Sequence, residues 1–143
     1  MNMRIVIGAD EERPILALIK AYLESKGHSA ELLPVAKWGP VALAVADEVA
    51  ADRAAFGIVL CYSGTGVCMA ANKVAGVRAA LCTDASTARS ARKWNNANVL
   101  ALSLRTLSDV VAAEVLDAWL ENRYAGTEEE SLKEVAAREL KSG

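Results

Sequence analysis

Short apolar runs alternate along the chain with longer stretches of helical period. Arg4-Ile5-Val6-Ile7-Gly8 reads as a first strand buried on both faces, with Asp10 and Glu11 at its carboxyl end. Pro14 suits the first turn of a helix, Ile15, Leu18, Ile19, Tyr22 and Leu23 supply its apolar stripe, and Gly27 marks its end. Ser29 to Leu33 predicts a second strand, and Gly39-Pro40 opens a second helix with Val41, Val45 and Val49 on one face. Phe56 to Cys61 predicts the third strand, which the turn Ser63-Gly64-Thr65-Gly66 leads into a short helix through Met69 and Ala70. Val77 to Cys82 reads as a fourth strand, Asp84 as the cap of a helix running to about Trp94, and Val99 to Leu102 as a fifth strand. A helix from about Ser108 to Asn122 follows. Such alternation predicts an α/β protein, a parallel sheet with helices on both faces.

The last segment, about residues 127–141, predicts a charged helix. Thr127 and Glu130 form a capping-box pattern, and Leu132, Val135, Ala136 and Leu140 form an apolar stripe. That stripe either packs back on its own domain or crosses to a second subunit. No internal repeat or low-complexity linker interrupts residues 1–143, which fit a single domain.

Charge narrows the function classes. Sixteen Lys and Arg against 18 Asp and Glu leave a net charge of −2, which argues against a nucleic-acid binder or a polybasic membrane-surface protein. No apolar run approaches the roughly 18–20 residues of a membrane span, and the N-terminus lacks a signal-peptide pattern. Three cysteines without metal spacing and a single histidine predict no metal site. Reduced thiols and a cytoplasmic location follow as expectations.

Ligands of open parallel sheets bind beyond the carboxyl ends of the strands. Here those ends carry Asp10-Glu11, Cys61 to Gly66, Cys82 to Asp84 and Ser103 to Arg105. Small residues between a strand and a helix let backbone N–H groups converge on an anion. Named phosphate motifs nevertheless fail at this turn. Gly66 is followed by Val67-Cys68 and not by Lys-Ser/Thr, Met69 stands where a dinucleotide fingerprint needs a small residue, and Val67 stands where a cysteine phosphatase needs Arg. Cys61 sits at the mouth of the turn as a candidate thiolate. Cys68 and Cys82 read as structural thiols, and His28 as a loop or surface residue away from the site.

Gly57-Ile58 through Cys61, the Ser63-Gly64-Thr65-Gly66-Val67 turn and the block from Ala70-Ala71-Asn72-Lys73 to Cys82 resemble the ribose-5-phosphate isomerase B / galactose-6-phosphate isomerase family. Ile7-Gly8-Ala9-Asp10, Asn95-Asn96-Ala97-Asn98-Val99-Leu100 and Asp117-Ala118-Trp119-Leu120 extend the resemblance from about Met3 to Gly126. It implies a three-layer αβα, Rossmann-like fold with a five-stranded parallel sheet, and an aldose–ketose isomerase of sugar phosphates that needs no cofactor and works through an enediol(ate). It also implies a homodimer, or a dimer of dimers, whose active sites lie at the interface and are completed by the partner.

Carried over by resemblance, Cys61 is the base, eleven residues before Asn72, and Ser63 is the hydroxyl that assists at the enediolate. The amides around Tyr62, Ser63, Gly64, Thr65 and Gly66 form the anion hole. Asp10 and Asn95 contact substrate and Arg105 binds phosphate; apart from the resemblance, Arg13, beside Asp10-Glu11 at a helix N-terminus, or Arg89 is a further candidate cation. The branch that uses Glu as base is excluded, because Val67 occupies that position.

Departures gather at the same site. The family's Asp-His pair is Asp10-Glu11, its ring-opening His is Trp94, and its Asp-Tyr-Pro is Trp38-Gly39-Pro40. Its Gly-Gly-Arg-His stretch appears as Gly126-Thr127-Glu128-Glu129, so cationic positions are acidic here. One reading is an isomerase for an open-chain substrate such as D-erythrulose 4-phosphate, which has no ring to open; Trp94 would also shorten the pocket. The alternative is a catalytically impaired paralogue that binds a phosphosugar or serves as one subunit of a hetero-oligomeric isomerase.

Overall fold

A computed structural model describes residues 2–139. Its centre is a five-stranded parallel sheet in the order β2-β1-β3-β5-β4, formed by β1 (Arg4–Ala9), β2 (Ser29–Leu32), β3 (Phe56–Cys61), β4 (Ala79–Leu81) and β5 (Val99–Ser103). Six helices accompany it: α1 (Pro14–Ser25), α2 (Trp38–Ala50), α3 (Thr65–Ala71), α4 (Ala85–Asn95), α5 (Asp109–Glu121) and α6 (Glu129–Glu139). Among the described residues no helix is long and apolar enough to cross a membrane.

Period-two alternation of buried side chains divides the interior into two cores. Ile5, Ile7, Ile58, Leu60, Leu100 and Leu102 meet α1, α4 and α5 around the buried Trp119. Val6, Val59, Cys61, Val99 and Ala101 meet α2 and α3 on the other face. Cys61 therefore ends β3 on the α2–α3 side.

Two glycines let α2 lie close to the sheet. A Cβ on Gly8 would stand 2.7 Å from the Val45 side chain, and one on Gly57 only 2.5 Å from it. Any larger residue would push α2 away, and with it the helix's first residue, Trp38.

Several element ends differ from the sequence expectation. The helix α2 begins at Trp38, before Gly39, because the Val41 N–H closes on the Lys37 carbonyl at 3.0 Å. Pro40 then falls in the first turn, where a missing N–H costs nothing. The strand β4 is only three residues long against the predicted six. It lies at the sheet edge, and side chains capture its flanking donors: Asn98 Oδ1 accepts from Arg78 N–H and Asn72 Oδ1 from Ala79 N–H, each at 2.8 Å. Asp84 does cap α4, accepting the Thr87 N–H at 2.7 Å.

The predicted capping box of α6 does not form. Tyr124 Oη instead accepts the Glu128 N–H at 2.8 Å, and the first helical bond runs from Leu132 N–H to the Glu128 carbonyl. No residue of α6 is buried, so its stripe of Leu132, Val135 and Ala136 does not pack into either core. Leu140, which the sequence adds to that stripe, lies outside the described residues.

Candidate active site

Strand order reverses between β1 and β3, because the chain winds from β1 to β2 on one side and on to β3 on the other. Asp10 leaves β1 at this point, its N–H bonded to the Leu60 carbonyl at 3.2 Å, and Cys61 leaves β3 beside it. The turn after Cys61 is tied to β5. The Cys61 carbonyl accepts from Leu104 N–H at 2.9 Å, and the Tyr62 carbonyl accepts from Arg105 N–H at 3.0 Å and from Ser103 Oγ at 2.9 Å. Cys61, Ser63 to Gly66, Asp10 and Arg105 thus gather at one end of the sheet.

Within the turn, Ser63 Oγ and Thr65 Oγ1 share a hydrogen bond of 2.7 Å, and the Thr65 N–H reaches Ser63 Oγ at 3.4 Å. Gly64 has φ of +77°, and a Cβ there would meet Leu81 Cδ1 at 2.6 Å and the Leu102 backbone at 3.0 Å. The first helical bond of α3 is Cys68 N–H to the Gly64 carbonyl, so the N–H groups of Gly66 and Val67 precede the bonded ladder. Such donors can hold an oxyanion.

Asp10 Oδ1 is buried without a hydrogen-bond partner. Burial, reinforced by the charge of Glu11, pushes this carboxyl above its usual range. An orphaned carboxylate oxygen is costly, and at a crevice a ligand hydroxyl is the missing donor.

Cys61 is 5% exposed. The other two thiols are suited only to structure: burial raises Cys68, and raises Cys82 to about 12. They donate to the Ala79 carbonyl at 3.6 Å and the Ala80 carbonyl at 3.7 Å. Asp84, at the third strand end singled out by the sequence, is occupied as the α4 cap.

Cations divide unequally. Arg13 Nη2 lies 3.1 Å from Glu11 Oε1, so these two candidates are spent on each other. Arg105 is exposed and in no ion pair among the described residues. His28, the chain's one histidine, sits at the far end of the sheet, where its Nδ1 accepts the Met3 N–H at 3.2 Å. No group of three His, Cys, Asp or Glu among the described residues is placed to hold a metal ion.

Trp94 and Asn95 do not join this cluster within one chain. They end α4 at the amino-terminal end of β5, and β5 separates them from the Cys61 end by about 13 Å at roughly 3.3 Å per residue. There they line a cavity of about 590 Å³ with Asn72, Arg78, Leu132 and Arg138. Lys93 Nζ stands 4.6 Å from the Trp94 ring, which is 41% exposed. Arg92 fixes the backbone around them. Its guanidinium donates to the Ala97 carbonyl and, at 3.3 Å, to the Asn122 carbonyl, and stacks 4.5 Å from the Phe56 ring.

A family model described as Ribose/Galactose Isomerase matches residues 5–136. The chain belongs to this family. The galactose-6-phosphate isomerase subunit LacB of Clostridium acetobutylicum is 38% identical over 133 residues, spanning 89% of this chain and 77% of that protein. The D-erythrulose-4-phosphate isomerase of Pectobacterium atrosepticum is 37% identical over 131 residues, 87% and 86% of the two chains. Ribose-5-phosphate isomerase B of Mycoplasma genitalium, solved with bound ribulose 5-phosphate, shares the fold with a TM-score of 0.90 at 33% identity over 96% of each chain. These ribose/galactose isomerase relatives are sugar-phosphate isomerases, and the α/β architecture expected from sequence is theirs.

Two residues take positions that the sequence reading did not assign them, Trp38 at the Cys61 end and Arg92 behind Trp94 and Asn95. Trp38 lies against Gly66, where a Cβ would stand 2.9 Å from Cε3 and 3.1 Å from Cδ2 of the indole. Its signal was a bulky aromatic in place of the family's Asp-Tyr-Pro. Arg92 carried only the signal of a cation on an apolar helix face.

Proposed function

We propose that the protein is an aldose–ketose isomerase that moves a proton between adjacent carbons of an open-chain sugar phosphate. The observation that carries this reading is the juxtaposition, at the β1–β3 switch point, of the strand-end Cys61, the unpartnered Asp10 Oδ1 and the glycine turn. As thiolate, Cys61 takes a proton from the hydroxymethyl carbon beside the ketose carbonyl and returns it to the former carbonyl carbon. The electron pair released from the first C–H bond passes through an enediolate whose oxygen is held by the turn N–H groups, while the hydroxyl proton of the first carbon passes to the former carbonyl oxygen with Ser63 Oγ assisting. Asp10 accepts from a substrate hydroxyl, and Arg105 holds the phosphate.

The substrate we favour is D-erythrulose 4-phosphate, named for one relative. Its product, D-erythrose 4-phosphate, cannot close a furanose because the terminal oxygen is esterified. No imidazole stands near Cys61 to open a ring, which fits that pair and disfavours ribose 5-phosphate. A catalytically impaired paralogue has less support, because Cys61, Ser63, the glycines and Asp10 are retained together.

Trp94 and Asn95 reach a Cys61 only if a second copy presents them. We therefore infer a homodimer with each site built across the interface, and with the unburied face of α6 turned to the partner. Incubation in D₂O with D-erythrulose 4-phosphate or D-ribulose 5-phosphate, followed by NMR, tests the reading. Deuterium entry at the hydroxymethyl carbon with aldose formation is expected, faster for the four-carbon ketose. No exchange with either ketose would sink it.

A further inference from the structure

We propose that Trp38 sets the length of sugar phosphate the site accepts, favouring a four-carbon over a five-carbon ketose phosphate. This rests on the isomerase reading and assigns its specificity to a residue outside the transferred site set.

Three observations place the indole. The segment entering α2 follows the end of β1, with Leu33 N–H bonded to the Ile7 carbonyl at 2.9 Å and Ala36 N–H to the Ala9 carbonyl at 3.4 Å. It carries Trp38 from beside Asp10 to the turn after Cys61. There one part of the ring abuts Gly66 so closely that no Cβ fits between them. Close packing of α2 over Gly8 and Gly57 fixes the helix beneath it.

The ring is nonetheless 51% exposed, although Trp is a residue that proteins usually bury. A rigidly backed, half-exposed indole beside a crevice is a wall. It offers an apolar face to sugar C–H groups and no donor or acceptor for a further hydroxyl over most of its surface. On this reading a ketose phosphate one hydroxymethylene longer meets the ring, which has no room to shift toward Gly66. Tight pockets discriminate by about one methylene with factors of roughly 10–200.

The test is a comparison of kcat/KM for D-erythrulose 4-phosphate and D-ribulose 5-phosphate in the full-length wild type, Trp38→Ala and Trp38→Phe. Trp38→Ala is expected to shift the ratio toward the five-carbon ketose by about tenfold or more. Trp38→Phe, with a smaller ring, should shift it less in the same direction and decides the matter if the alanine variant does not fold. A ratio unmoved in the folded variants, including equal loss on both substrates, overturns the assignment while leaving the isomerase intact. A wild type inactive on both ketoses instead removes the isomerase reading and this inference with it.

Discussion

Asp10 bears an internal conflict. Burial without a donor to Oδ1 disfavours its charged form, yet the same unpaired oxygen is the one a substrate hydroxyl can use. Its folded pKa is raised, so the associated stability is present below the ordinary value of 3.8 and is lost as pH rises through the folded value. Asp10→Asn cannot ionise and escapes that loss. The variant should melt at a higher temperature than the wild type at pH 7, with the gain shrinking to nothing as pH falls below 3.8. Its kcat/KM should fall by about tenfold, since a neutral amide is the weaker acceptor. Thermal melts across pH together with steady-state kinetics check both halves. Equal melting temperatures at pH 7 would show that the carboxyl is not strained. The trade suits a group placed for a ligand, because stability lost at an active site is a common cost of function.

The turn between β3 and α3 owes its shape to backbone constraints, and those are separable. Gly64 combines φ of +77° with a Cβ position blocked by Leu81 and Leu102, whereas Gly76 has φ of +87° but open space around it. Gly76→Ala should therefore cost about 1 kcal/mol, the conformational part alone. Gly64→Ala should cost at least about 2–3 kcal/mol in urea unfolding and abolish turnover, because the collision adds to the same strain. Equal costs would mean that β4 and β5 yield easily to the methyl. Elements such as β3 were legible in the sequence because both faces are buried and the apolar run is continuous. The ends of β4 were not, because the side chains of Asn72 and Asn98, outside the strand, accept the Ala79 and Arg78 N–H groups that a strand would use. Tyr124 likewise displaced a local capping box that looked sufficient by itself. The position of Cys61 could be read from its strand end, but the cover of Trp38 over Gly66 depends on how deeply two remote glycines let α2 settle.

At the scale of the whole molecule, the sheet polarity sets Asn95 and Cys61 at opposite ends of one chain. Helix α4 must run back from the carboxyl end to the amino-terminal end of the sheet before β5 begins, so Asn95 is fixed away from Cys61 by the topology itself. Loop movement cannot bring Asn95 round, because Arg92 clamps the following turn to α5 and stacks on Phe56. If both residues serve one reaction, they come from different copies, and that has a quantitative consequence. Cys61→Ala and Asn95→Ala should each be nearly inactive alone. When the two are unfolded together and refolded as a mixture, random pairing makes about half of the dimers mixed, and a mixed dimer has one site with both residues intact and one with neither. Activity should return to about a quarter of the wild-type level per chain. A site contained in one chain predicts no recovery at all, since every chain still lacks one residue. The same mixture run under dilution until dimers separate should lose the recovered activity, which ties the effect to pairing of the chains and not to residual turnover in either variant.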